Sequence, residues 1–182
     1  MQATLRVLIL PGWQGSGPAH WQSRWQALHG FERVQQADWL WPRRGDWMAQ
    51  LEEAVLADAL PTALVAHSLG CHLVAAWAAH SKHTAAVVGA LLVAPPDTAR
   101  EDTPPQLAGW RRIVRQRLPF RAVALYSTDD PFCSPGQART LAAGWGAEAV
   151  SLGAAGHVNA NTGLGDWPEG LAWLQHATRA AP

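Results

Sequence analysis

The chain has 182 residues, a length that fits one domain spanning residues 1–182. Hydrophobic residues make up 48% of the sequence and charged residues 15%, a composition that can bury a large core and excludes a disordered protein. Fourteen basic and fourteen acidic residues give a formal net charge of zero, which argues against nucleic acid or an anionic membrane surface as a partner.

Apolar runs alternate with helix-like segments along the chain, a pattern typical of a parallel sheet covered by helices on both faces. The predicted strands are residues 5–10, 31–35, 63–67, 86–94, 122–127 and 147–152. The predicted helices are residues 18–28, 46–59, 69–79, 135–145 and 166–178. Residues 95–120 carry five prolines, and we expect them to form a long loop over the sheet edge that covers a site.

A strand runs directly into a helix at Ser68, within the motif Ala66-His-Ser-Leu-Gly70. The pattern is G-x-S-x-G with alanine in place of the first glycine. Small residues at these two positions permit a sharp, strained turn that projects the serine hydroxyl beyond the sheet, at a helix N-terminus. Amide donors there favour developing negative charge, so Ser68 is the candidate nucleophile. The alternative is a serine that merely caps the helix.

Two adjacent aspartates, Asp129 and Asp130, follow the predicted strand 122–127, where the acid of an α/β-hydrolase lies. We predict Asp130 as the acid because the usual acid precedes a small or apolar residue by three positions, here Cys133. Asp129 is the alternative, and it could instead fix the turn by accepting hydrogen bonds from backbone amides. Both aspartates could also be turn formers only.

Of eight histidines, His157 alone is predicted to lie in a loop after a strand and C-terminal to the aspartates. His67 is set aside, because strand alternation directs its side chain to the opposite side from the Ser68 hydroxyl. The order Ser68, Asp130, His157 is that of the α/β-hydrolases. All three residues follow predicted strands, at the edge where open α/β sheets place their sites.

The loop after the first strand, residues 11–17, should complete this site. We expect the Trp13 amide to pair with the Leu69 amide as an oxyanion hole, since Trp13 follows Gly12, where the backbone can approach closely. The loop lacks both G-K-[ST] and G-x-G-x-x-G, so a nucleotide is not expected.

The eleven tryptophans are an unusually high number, and those at helix spacing should lie in the core. The candidates for lining a substrate pocket are Trp13, Trp39, Trp41 and His20.

Neither a metal nor an organic cofactor is expected. The two cysteines, Cys71 and Cys133, form no CxxC pair and no cluster with histidines, which argues against zinc and against a disulfide scaffold. The first apolar run is too short for a signal peptide, and no apolar stretch approaches the roughly 18 residues of a transmembrane helix. These features predict a soluble, cytoplasmic protein.

Several further motifs extend over nearly the whole chain. They are Leu10-Pro-Gly-Trp13, His20-Trp21, Asp38-Trp39, Trp41-Pro42, Leu92-Val-Ala-Pro95, Leu118-Pro-Phe120, Asp129-Asp-Pro131, Gly156-His-Val-Asn159 and Gly163-Leu-Gly-Asp-Trp-Pro-Glu-Gly170. With Ala66-His-Ser-Leu-Gly70 they resemble a small family of serine hydrolases that includes retinoblastoma-binding protein nine and bacterial YdeN-type hydrolases. The resemblance implies an α/β-hydrolase fold without a cap domain, with a triad at Ser68, Asp130 and His157. The L-x-C-x-E motif by which the human member binds its protein partner is not matched, because Leu69-Gly-Cys71-His-Leu73 lacks the glutamate.

The sequence therefore predicts an open, mostly parallel sheet of about six strands and a serine hydrolase that forms an acyl-enzyme. Its substrate would be a small or short peptide-like ester, thioester or amide bound in a shallow site. The alternative is a binding or regulatory protein that keeps the fold but has little activity. The sequence does not identify a protein partner.

Overall fold

The computed structural model describes residues 5–179 and contains a six-stranded sheet with the strand order β2-β1-β3-β4-β5-β6. The strands are β1 (Arg6–Leu10), β2 (Glu32–Arg33), β3 (Thr62–His67), β4 (Val87–Val93), β5 (Ala122–Tyr126) and β6 (Glu148–Ser151). The helices are α1 (Trp21–His29), α2 (Arg44–Leu56), α3 (Leu69–Ala78), α4 (Pro135–Trp145) and α5 (Pro168–Thr178). All neighbouring strands pair in parallel, which confirms the predicted α/β-hydrolase fold with a fully rather than mostly parallel sheet.

The sheet separates two apolar cores because successive strand side chains point to opposite faces. Helices α2, α3 and α4 pack on one face, against Leu64 and Leu92 of the central strands. Helices α1 and α5 pack on the other face, against Val65 and Leu91. Both faces of the central strands are thus covered, which explains why these strands read as continuous apolar runs rather than alternating patterns.

Two regions differ from the sequence-based expectation. The second strand covers only Glu32–Arg33, because its polar edge position has a single partner, β1, and only Val34 beyond it is buried. The segment 95–120 is not a plain loop. It contains a 3₁₀ helix over Pro105–Trp110 whose Leu107 and Trp110 side chains are buried in the core that α2, α3 and α4 form with the sheet, so this core anchors the segment.

Six tryptophans are fully buried, at positions 21, 25, 47, 77, 110 and 145. Several of their indole N–H groups donate to backbone carbonyls of distant loops. Trp21 donates to Val158 (2.8 Å), Trp110 to Pro42 (2.8 Å) and Trp145 to Val114 (2.7 Å). A buried indole needs such an acceptor, so each of these rings both fills the core and fixes a loop.

No helix within residues 5–179 is long and apolar enough to cross a membrane.

Candidate active site

Ser68 is the single residue between β3 and α3, and its backbone has the strained dihedral angles φ 55° and ψ −123°. The turn is possible because neighbouring backbone passes very close. A methyl group placed on Gly12 would lie 2.8 Å from Ser68 Cβ, and one on Gly70 would collide with the Leu10 carbonyl. The Ser68 amide donates to the Val93 carbonyl at 2.9 Å, which ties the turn to β4.

The structure brings the three sequence-predicted residues Ser68, His157 and Asp130 into one hydrogen-bonded chain. His157 Nε2 lies 2.9 Å from Ser68 Oγ, and His157 Nδ1 lies 2.9 Å from Asp130 Oδ2. The Asp130 side chain is only 3% exposed and the His157 side chain 11%. A carboxylate only accepts hydrogen bonds, so Nδ1 carries the proton and Nε2 is free to accept the Ser68 hydroxyl. This arrangement can activate a serine as a nucleophile.

Asp129 has a different position from its neighbour. Its Oδ1 accepts hydrogen bonds from the Ser127 hydroxyl (2.6 Å) and the Gly156 amide (2.8 Å). These two bonds lower the pKa of the Asp129 carboxyl below its ordinary value. Asp129 therefore connects the loop after β5 to the loop that carries His157, whereas Asp130 contacts the His157 ring itself.

The amides of Trp13 and Leu69 are both available to a ligand, since neither donates a hydrogen bond to another group within residues 5–179. Leu69 is the first residue of α3, where amides have no partner within the helix. The loop bearing Trp13 is fixed by two bonds. Trp13 Nε1 donates to the Leu40 carbonyl (2.9 Å) and the Gln14 amide to the Trp39 carbonyl (3.0 Å).

A cavity of about 410 Å³ opens over Ser68. Its wall includes Trp13 and His20, two of the four predicted pocket residues. Trp39 and Trp41 do not line it, which corrects the expectation for them. Trp39 packs edge-on against Trp47 with ring centroids 5.5 Å apart, and Trp41 is 58% exposed beside a separate surface cavity. Both residues follow Asp38 in the segment that anchors the Trp13 loop, and this supporting position keeps them away from Ser68.

The cavity wall also contains residues that the sequence did not indicate as pocket residues, among them His67, Pro96, Pro104, Leu107 and Phe132. Pro96, Pro104 and Leu107 belong to the segment 95–120, which was expected to cover a site but gave no signal for individual side chains. Phe132 follows Asp130 by two residues, and its ring packs edge-on against His157 at 4.7 Å.

His67 was set aside on strand alternation, but it lies in the cavity wall. Its Nε2 is 2.9 Å from the carbonyl oxygen of His157, which can only accept, so the proton is on Nε2. Burial holds the pKa of His67 well below its ordinary value. Its place at the carboxyl end of β3, beside the nucleophile, was the signal that could have identified it.

His20 is also neutral. Its Nδ1 accepts a hydrogen bond from the Gln22 amide at 3.1 Å at the start of α1. Burial, with a smaller contribution from Arg33, lowers the pKa of His20 to about 4.

Within the described part of the chain, no cluster of three or more His, Cys, Asp and Glu side chains could hold a metal ion. Cys71 and Cys133 are buried free thiols, and burial raises the pKa of both.

The two aspartates give a matched test. We expect Asp130→Asn to reduce kcat for ester hydrolysis by about ten-thousand-fold, the scale seen when the wrong histidine tautomer is imposed in a serine protease. Asp129→Asn should lose far less activity, because Asp129 contacts the loop backbone and not the ring. Steady-state kinetics of both folded variants measure the difference, and a larger loss in Asp129→Asn would contradict the assignment.

The close approach at Gly12 gives a second prediction. Gly12→Ala should lower kcat by roughly 100- to 1000-fold, the cost of losing one oxyanion donor, because the added methyl group must displace the Trp13 loop from Ser68. Gly17→Ala in the same loop is the control, since a methyl group there meets nothing within 4 Å. Equal activity of the two variants would show that the loop position does not matter.

A family model described as serine hydrolase matches residues 7–176. Among curated proteins, no sequence matches the chain. The solved structures that are similar to it include the following three. A protein described as a YdeN-like hydrolase from Pectobacterium atrosepticum is 27% identical, with a TM-score of 0.83 over 96% of this chain and 91% of that one.

The ydeN gene product of Bacillus subtilis is 21% identical, with a TM-score of 0.74 over 96% of this chain and 98% of that one. The esterase RhEst1 from Rhodococcus is 15% identical, with a TM-score of 0.67 over 96% and 91%. These two likenesses show the fold. The family model covers most of the chain, from β1 into α5, and on that match the chain belongs to the serine hydrolase family.

Proposed function

We propose that the chain hydrolyses an acyl bond, an ester, thioester or amide, through a covalent intermediate on Ser68. The observation that carries this proposal is the hydrogen-bonded chain from Ser68 Oγ through both nitrogens of His157 to the buried Asp130 carboxylate. Its geometry meets the requirement that a nucleophile and its base lie within about 2.6–3.2 Å and that a third group orients the base.

The reaction would begin when His157 Nε2 takes the Ser68 proton as Oγ attacks the carbonyl carbon. The resulting oxyanion would accept hydrogen bonds from the Trp13 and Leu69 amides. Asp130 would stabilise the imidazolium that forms and keep the ring in its productive orientation. The imidazolium then gives its proton to the leaving group, which departs and leaves an acyl-Ser68 ester.

Deacylation would repeat these steps with water. His157 removes a proton from a water molecule that attacks the acyl-Ser68 carbonyl, and the same two amides stabilise the second oxyanion. The proton returns to Ser68 Oγ as the acid product leaves. The proposal is supported by the cavity wall, which includes Trp13, Ser68, Leu69 and His157.

A fluorophosphonate probe tests the nucleophile directly. We expect it to label Ser68 in the wild-type protein, and we expect Ser68→Ala to lose both labelling and hydrolysis of an activated short-chain ester. Loss of such a nucleophile costs on the order of a million-fold in kcat. Ser151→Ala, at the end of β6 and outside the cavity, is the control and should keep both properties.

Labelling that persists in Ser68→Ala would contradict the assignment of the nucleophile. A folded wild-type protein that neither reacts with the probe nor hydrolyses any ester would instead favour a binding or regulatory role.

A further inference from the structure

The cavity over Ser68 carries no formally charged side chain in its wall. Among the described residues that line it there is no aspartate, glutamate, lysine or arginine. Asp130 lies behind the His157 ring, and its oxygens already accept from His157 Nδ1 and from the Phe132 amide (2.9 Å). The Asp130 oxygens are therefore already hydrogen-bonded, and the carboxylate does not line the cavity.

The two extra histidines of the wall add no charge at neutral pH. His67 has its single proton on Nε2, directed at the His157 carbonyl. His20 is 5% exposed, and its Nδ1 accepts from the Gln22 amide, so protonation of that nitrogen would break a hydrogen bond. Charged side chains lie in a neighbouring cavity that shares Pro96, Pro104 and Leu107 with this one, but there Arg100 is already paired with Asp102. A charged acyl group would therefore lose hydration without gaining an unpaired counter-ion, which is unfavourable.

The residues that form the cavity wall come from both sides of the sheet. Leu107 belongs to the core on the side of α2, α3 and α4, and Pro96 and Pro104 lie in the same segment of chain. His157 is followed by Val158, which belongs to the core on the side of α1 and α5. The leaving group must lie near His157 Nε2 to receive its proton, so the acyl group is directed toward the proline and leucine side.

We propose that the site selects uncharged, apolar acyl groups bound against Pro96, Pro104 and Leu107, and rejects acyl groups that carry a carboxylate or an ammonium. This inference rests on the proposed hydrolase function and adds the substrate class. Apolar acyl chains gain by burial against these three side chains, whereas charged chains of the same shape do not.

Isosteric esters with one leaving group test this selection. The cationic pair is the p-nitrophenyl ester of 4-(trimethylammonio)butanoate and that of 5,5-dimethylhexanoate, which differ only in N⁺ against C. The anionic pair is the adipate half-ester and the 6-methylheptanoate ester. We expect kcat/KM, after subtraction of uncatalysed hydrolysis, to favour each neutral ester by on the order of 100-fold or more.

Two adjacent prolines supply matched variants. Pro104 lines the cavity, whereas Pro105 does not. Pro104→Arg should improve the adipate half-ester relative to its neutral partner by roughly tenfold, because the guanidinium supplies the missing counter-ion. Pro105→Arg should leave the ratio unchanged. Equal kcat/KM within each pair, in a protein that a fluorophosphonate labels at Ser68, would overturn the substrate class and leave the hydrolase function intact. Failure to hydrolyse all four esters, together with no labelling, would overturn both.

The loop that carries His157 is also held through its backbone. Two consecutive carbonyls accept hydrogen bonds from buried side chains of other elements. His67 Nε2 donates to the His157 carbonyl (2.9 Å), and Trp21 Nε1 donates to the Val158 carbonyl (2.8 Å). Val158 is fully buried with φ 50°, a left-handed conformation that is unfavourable for a β-branched residue and needs support from its surroundings.

We infer that His67 and Trp21 are positioning residues, which act on the reaction through His157. Ser68 contacts the His157 ring while the preceding residue, His67, contacts its carbonyl, so adjacent residues of one turn hold both ends of the base. Displacement of such a base by about 1 Å can reduce the rate by roughly 100-fold.

His67→Leu and His67→Gln separate positioning from packing, because glutamine can retain a donor and leucine cannot. We expect His67→Leu to lower kcat at least tenfold with KM changed less than twofold, and His67→Gln to recover most of kcat at a similar melting temperature. Trp21→Phe, which keeps the aromatic ring but loses the N–H, should lower kcat in the same way. Equal kcat for the leucine and glutamine variants, or a wild-type kcat for folded Trp21→Phe, would overturn the inference.

Discussion

The one-residue turn at Ser68 constrains everything around it. Because β3 passes into α3 without a loop, the serine backbone is forced to φ 55°, and the first turn of the helix lies directly against the end of β1. That contact leaves no room for a side chain at Gly12 or Gly70. The same closeness brings Gly12, which precedes Trp13, against Ser68 and the Leu69 amide. A strained backbone and a glycine requirement at two distant positions thus have one physical cause.

The tryptophans explain how the loops at this edge are kept in place. Loop backbone at the carboxyl ends of parallel strands has few partners in the sheet, so its carbonyls need other donors. Buried indoles supply them at Val158, Pro42 and Val114, and the half-buried Trp13 supplies one at Leu40. The excess of tryptophan in a small chain is therefore more than a means of filling the core. It connects the helices to the segments that carry and surround the site.

Burial also sets the electrostatics of the site. His20 and His67 lie in the cavity wall, yet desolvation lowers the pKa of each, so both stay neutral where an exposed imidazole would titrate near pH 6.5. The one formal charge of the hydrogen-bonded chain, that of Asp130, lies behind the His157 ring, where its oxygens accept hydrogen bonds from His157 Nδ1 and the Phe132 amide. Because the cavity wall beside Ser68 carries no charged side chain, the cavity favours uncharged acyl groups.

The sequence by itself determined the order of the elements and the approximate position of each, because apolar periodicity and the sharp Ala66-His-Ser-Leu-Gly70 turn are local properties. It also singled out Ser68, Asp130 and His157, since each follows a strand and such strands all end at one edge. It predicted Asp130 as the acid with Asp129 as the alternative, and the tertiary structure shows that the Asp130 carboxylate is the one that meets the His157 ring. Tertiary contacts likewise decided that His67 lines the cavity while Trp39 and Trp41 lie outside it. The reason is that side-chain direction at strand ends and in loops depends on what packs against them, which strand alternation and spacing do not encode.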